Sequence, residues 1–201
     1  MKNIVLFDAS PNASLQLQEV MSAMGQSVKL VQNIREIFMA DGIIIYGKGS
    51  FAHCKDVIES IGIDGLISQF EMPVLGISIG MQVLGTYCLE GVQEPISIQG
   101  LSVFSVRVNE FGHSPNFLHS GLDTISALRG PLFEGVEENS EVFFHHTTKM
   151  LPSKNYSTAL CVAGETFSAS IQKDNFYGIE FFPELSGETG KTVLQNFVNL
   201  L

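Results

Sequence analysis

The chain has no tryptophan, only three cysteines, and 11 basic residues against 21 acidic ones in 201. Cys54, Cys88 and Cys161 are odd in number and form no C-x-x-C pair, which speaks against a disulfide framework and for a reduced, cytoplasmic protein. The net charge of −10 at pH 7 opposes non-specific binding to nucleic acid or anionic lipid. No apolar run approaches the ~20 residues that a membrane span requires. The N-terminal residues 1–8 form a short apolar run without a basic leader. What the chain does have is 45% hydrophobic residues, enough to bury a sizeable core without staples. There is no repeat, low-complexity tract or Pro/Gly/Ser linker, so residues 1–201 are expected to form one soluble domain.

Short apolar or β-branched runs at 3–7, 27–31, 43–46 and 73–77 alternate with segments able to form helices. Such alternation predicts an α/β domain with a mainly parallel sheet. Residues 15–24 carry Leu15, Leu17, Val20, Met21 and Met24 at helical spacing, with Gly25 as a stop. After Gly91 the texture changes: 96–108, 122–128, 142–145, 157–162 and 166–172 read as strands with few helices between them, an extra β-rich layer. Residues 187–201 close the chain with Val193, Leu194, Phe197, Val198 and Leu201 at helical spacing.

The most informative stretch is Gly76-Ile77-Ser78-Ile79-Gly80, where a buried strand meets a helix with the spacing of a nucleophile elbow. The same spacing also suits a plain tight connection, and alone it does not decide. Two further stretches stand in order around it: Gly47-Lys48-Gly49-Ser50 after the third strand, and Gly178-Ile179-Glu180-Phe181-Phe182-Pro183-Glu184 near the C-terminus. Together they resemble the class I glutamine amidotransferases, in which the elbow reads Gly-x-Cys-x-Gly-x-Gln, the late motif reads Phe-His-Pro-Glu, and the glycine loop supplies oxyanion-hole amides. Asp8, Asn12, Phe51 and Gly80-Met81-Gln82 extend the likeness towards the glutaminase subunit of imidazole glycerol phosphate synthase, over nearly the whole chain. The resemblance implies a flavodoxin-like sheet flanked by helices, with no cofactor and no metal.

It also exposes departures. The positions matching the family's cysteine, histidine and glutamate are Ser78, Phe182 and Glu184. A serine hydroxyl is protonated at neutral pH and needs an adjacent base, and a phenyl ring cannot accept a proton. Loss of positioned acid–base catalysis alone costs about 10²–10⁴ in rate. The chain is therefore expected to be inactive as a glutaminase, with Glu184 seeking another donor. His53 starts the next helix. His145 and His146 lie where the family has His-Ser-Tyr; as a relocated base for Ser78 they would make a repurposed hydrolase or transferase, and otherwise they end a strand. A metal held by that pair with Glu141 lacks further nameable ligands.

Gln82 and Glu90 match positions that line the family's glutamine pocket; Gln82 alternatively packs at its helix start and Glu90 is alternatively a solvated charge. Lys48 replaces an uncharged family residue in the loop of Gly47, Gly49 and Ser50. The family docks on a cyclase barrel through a segment like His-Met-Gly-Trp-Asn, matched here by His119, Gly121, Leu122 and Asp123, with Leu122 for the aromatic and Asp123 for the amide. Leu122 is alternatively an inward strand residue. The implied role is a non-catalytic, partner-binding or regulatory subunit of a synthase or cyclase, with a small-ligand sensor using the old pocket as a further alternative.

Overall fold

The computed structural model describes residues 2–10, 12–31, 34–90, 96–112 and 117–201, the side chain of Glu90 excepted. Its strands are β1 (Ile4–Asp8), β2 (Val28–Leu30), β3 (Gly42–Gly47), β4 (Val74–Ser78), β5 (Tyr87–Glu90), β6 (Ile96–Gln99), β7 (Val108–Glu110), β8 (His119–Thr124), β9 (Glu141–His146), β10 (Thr148–Met150), β11 (Ser157–Ala163), β12 (Glu165–Lys173) and β13 (Phe176–Ile179). The helices are α1 (Leu15–Ala23), α2 (Ile34–Ile37), α3 (Phe51–Ile61), α4 (Ile79–Gln82) and α5 (Gly187–Asn199).

The main sheet runs β11-β12-β13-β4-β3-β1-β2. From β13 to β2 all neighbours are parallel, and β11 and β12 add an antiparallel edge. Parallel strands buried on both faces need apolar side chains in both directions. In β1, Ile4 and Leu6 enter one core while Val5 and Phe7 enter the other; in β3, Ile44 and Tyr46 oppose Ile43 and Ile45 in the same way. The first core takes α1 and α5, the latter through Val193, Leu194, Phe197 and Val198. The second takes α3 through Phe51, Cys54 and Ile58. Among the described residues no helix is long and apolar enough to cross a membrane.

The β-rich second half is present as a β10-β7-β5-β6 sheet and a β8-β9 ribbon. Two expectations shift. The run 96–108 is not one strand, because after β6 the backbone turns to bond the segment that follows α4: Leu101 N–H donates to the Val83 carbonyl and Phe104 N–H to that of Leu84. The expected strand 122–128 is displaced to β8; beyond Thr124 only Ser126 pairs, in an isolated bridge with Leu160, before Ala127 takes φ +57°. Short β13, containing Gly178, gave no apolar run long enough to be read, yet it lies mid-sheet between β4 and β12.

Candidate functional site

Strand register assembles the site. Gly47 pairs with Ser78 and Ile179 with Ile77, so the loop after β3, the elbow after β4 and the segment after β13 emerge side by side at one end of the sheet. Ser78 ends β4 with φ +54° and ψ −120°, a conformation that costs a non-glycine residue of order 1–3 kcal/mol. The flanking glycines are sterically required. A Cβ on Gly80 would lie 1.9 Å from the Ile45 carbonyl oxygen, and one on Gly76 would lie 2.5 Å from that of Gly80. The strand-to-helix turn is thus a nucleophile elbow in backbone geometry. Ser78 itself is buried, and its hydroxyl makes no side-chain hydrogen bond among the described residues. Lys48 and Gly49 are exposed, and Ser50 caps α3 by accepting from the His53 amide at 3.2 Å, which puts His53 in the first turn of that helix.

Phe182 is buried, its ring 5.8 Å from that of Tyr46, and its backbone is pinned by an amide donated to the Phe143 carbonyl at 2.9 Å. Glu184 has found the donor that the sequence left open: Tyr46 O–H donates to its Oε1 at 2.7 Å. Its Oε2 is buried without a partner among the described residues. Burial raises the Glu184 pKa, opposed by the Tyr46 bond and Lys48; burial and Glu184 together hold the Tyr46 phenol far above its usual range. Between these groups lies a cavity of about 240 Å³, walled by Tyr46, Lys48, Phe182 and Glu184 together with Ala13, Gln16, Phe143, His145 and Leu185. Phe182 therefore lines the cavity without closing it. Ser78 is not in its wall.

The remaining candidates lie elsewhere. Gln82 is fully buried in a core network: its amide donates to Glu180 Oε1 at 2.8 Å and to the Thr148 carbonyl at 2.9 Å, while its own oxygen accepts from the Thr148 hydroxyl at 2.7 Å. The packing alternative describes it, and it does not touch the cavity. Glu90 pairs through its backbone with Ile96, and its side chain falls outside the described residues. His145 is exposed, its Nδ1 2.9 Å from Ser120 Oγ, whereas His146 points inward to the Thr148 carbonyl and to His119. In β8, Leu122 is 60% exposed and so is not an inward strand residue; Gly121 has φ +128°, and Asp123 Oδ2 lies 3.1 Å from His119 Nε2.

An elbow held by obligatory glycines, a glycine loop beside it and a Pro-Glu turn after β13 define an amidotransferase scaffold. The chain belongs to the class I glutamine amidotransferase family, whose profile matches residues 5–200. Its relatives narrow this further. It is 32% identical over 203 residues to "Imidazole glycerol phosphate synthase subunit HisH 1" of Vibrio vulnificus, covering 99% of this chain and 98% of the relative. It is 35% identical over 164 residues to subunit HisH of Bacteroides thetaiotaomicron, covering 80% and 81%. The fold also matches the structure of PurLQS from Thermotoga maritima, with a TM-score of 0.73 at 15% identity over 99% of each chain.

Two residues central to this geometry were not singled out from sequence. In the sequence Tyr46 only ends a strand, and its exit beside the Pro-Glu turn gives it a role. Glu180 is wholly buried, with Oε2 unpartnered among the described residues and its carboxyl held well above the usual range by burial, the Gln82 bond opposing. An acid two residues before Phe182 in an otherwise apolar strand end was the available signal.

Proposed function

We propose that this chain is a catalytically silent glutamine amidotransferase subunit of the HisH type, acting as a single domain that binds and regulates a synthase or cyclase partner in a hetero-oligomer. The observation that carries the reading is the Phe182–Tyr46–Glu184 arrangement. The residue at the proton-shuttle position is a buried phenyl ring, and the glutamate that would orient a histidine is bonded to a phenol. Among the described residues Ser78 hydrogen-bonds no base: His145 bonds Ser120, and His146 is turned into the core. That weighs against the repurposed hydrolase. Relatives named as subunits of imidazole glycerol phosphate synthase support a partner of the cyclase class, with exposed Leu122 on the matching segment. The partner would draw ammonia from solution.

The test is a glutaminase assay on the purified chain with and without a candidate cyclase barrel. No hydrolysis in either case, with complex formation by sedimentation, is expected. Glutamine hydrolysis that disappears in Ser78→Ala would overturn the reading. The cavity favours a second reading, a small-ligand sensor, because Lys48 and a half-satisfied Glu184 face an aromatic wall. Stabilisation by glutamine or glutamate in a thermal-shift screen would support it, and its absence would count against it.

A further inference from the structure

Away from the elbow, a buried pair of histidines carries fewer protons than its contacts call for. His146 Nδ1 lies 2.7 Å from the Thr148 carbonyl, which can only accept, so a neutral His146 keeps its proton there. Its Nε2 then presents a lone pair 2.9 Å from His119 Nδ1, which must donate. The single proton of a neutral His119 is thereby used. His119 Nε2 is left bare at 3.1 Å from Asp123 Oδ2, so two electron pairs face each other. Both rings are buried, an environment that disfavours a charged imidazole. The third contact lacks its cation.

A third donor converges on the gap. Cys161, on the edge strand β11, places its sulfur so that it, a His119 ring nitrogen and an Asp123 carboxylate oxygen all lie within 4.8 Å of one another. Ligands in a tetrahedral zinc shell, with bonds of about 2.0–2.3 Å, sit roughly 3.3–3.8 Å apart, so the trio needs only small adjustments. One nitrogen, one oxygen and one sulfur are the donors of zinc-class ions and unlike the all-oxygen shells of magnesium or calcium.

We propose that His119 Nε2, Asp123 and Cys161 Sγ form a divalent-metal site of the zinc class, in which the metal ion fills the proton vacancy between His119 and Asp123. The His119 Nδ1–His146–Thr148 relay is the outer support that fixes a metal-binding imidazole in one tautomer. Binding forms one metal–sulfur bond and releases the thiol proton to solvent, while His119 and Asp123 contribute electron pairs they already hold. A coordinated thiol is deprotonated by the metal itself, so Cys161 would bind as a thiolate. Asp123 is one-third exposed, leaving the fourth position open to water or to a donor from a docked protein. The ion ties β8 to β11, clipping the two-stranded ribbon to the edge of the main sheet. Sequence spacing does not reveal the site, because Cys161 on β11 lies far along the chain from His119 and Asp123 on β8. Asp123 is moreover a departure from the family motif, where an uncharged amide stands.

The full-length protein, stripped by chelator, would be titrated with Zn²⁺ by calorimetry in two buffers of different ionisation enthalpy, and with Co²⁺ by absorption. One ion per chain, about one proton released per ion and a thiolate-to-cobalt charge-transfer band are expected. Cys161→Ser should remove the band. Asp123→Asn, which restores the family's residue on a partly exposed strand and so tests the charge without risk to folding, should weaken zinc at least about 10-fold, as should His146→Gln through loss of outer support. A chain that stays metal-free in micromolar zinc overturns the proposal. So does zinc binding that both Asp123→Asn and Cys161→Ser retain while their circular dichroism matches the native protein.

Discussion

The elbow and the segment beyond β13 stand beside each other on the same sheet, yet they differ in what holds them. At the elbow the restraints are backbone: Gly80 lies against the Ile45 carbonyl, and Ser78 takes a left-handed conformation whatever its side chain does. Beyond β13 side chains add to the backbone restraint at Phe182: a ring packs on the Tyr46 phenol, and the phenol bonds one oxygen of the Glu184 carboxylate. Geometry imposed through the main chain persists when the reactive group is exchanged. Chemistry imposed through side chains can be replaced residue by residue, as long as most buried polar atoms find partners.

The contrast can be broken most severely at the elbow. Gly80→Ala should cost more than about 4 kcal/mol or abolish folding, read by urea denaturation, since a Cβ so close to a carbonyl oxygen cannot be relieved by a rotamer change. Rebuilding the other arm is the converse. Ser78→Cys with Phe182→His should remain slow in glutamine hydrolysis while Tyr46 occupies Glu184, and adding Tyr46→Phe should raise the rate by about 10²-fold or more by freeing the glutamate to orient the new base. Tyr46→Phe alone should destabilise by about 1–3 kcal/mol, because it leaves the Glu184 carboxyl without its buried donor.

A smaller effect lies at Glu180. A carboxyl whose folded pKa is raised binds more protons in the native than in the unfolded state, so its contribution is fully present below the ordinary glutamate pKa and declines as pH rises towards the folded value. Glu180→Gln should flatten that decline and stabilise the protein at neutral pH, seen as thermal midpoints that converge with native only in acid. The smallest expected change in stability is that of Leu122→Asp, within about 0.5 kcal/mol because the side chain is exposed. The same substitution should weaken docking to a cyclase barrel, measured by sedimentation.

The parallel half was legible because fully buried β1, β3 and β4 leave continuous apolar runs, and because the elbow advertises itself by its glycines. The second half was legible only as texture. Short strands such as β10 and β13 carry no period long enough to read, and 96–108 breaks where its backbone finds partners in the chain after α4. At the site, absences could be read from Ser78 and Phe182, whereas replacements could not. That Tyr46 meets Glu184, or that Cys161 approaches His119 and Asp123, depends on which strands become neighbours.

The position of β13 bears on how the molecule is made. Strand β4 is finished by residue 78, but its neighbour on one side is supplied only by Phe176–Ile179. During synthesis β4 therefore presents a bare apolar edge while almost a hundred further residues emerge, the situation in which nascent chains recruit chaperones or pair with the wrong strand. β13 is the last strand of the main sheet in sequence, so a chain interrupted before it would carry the elbow without Phe182.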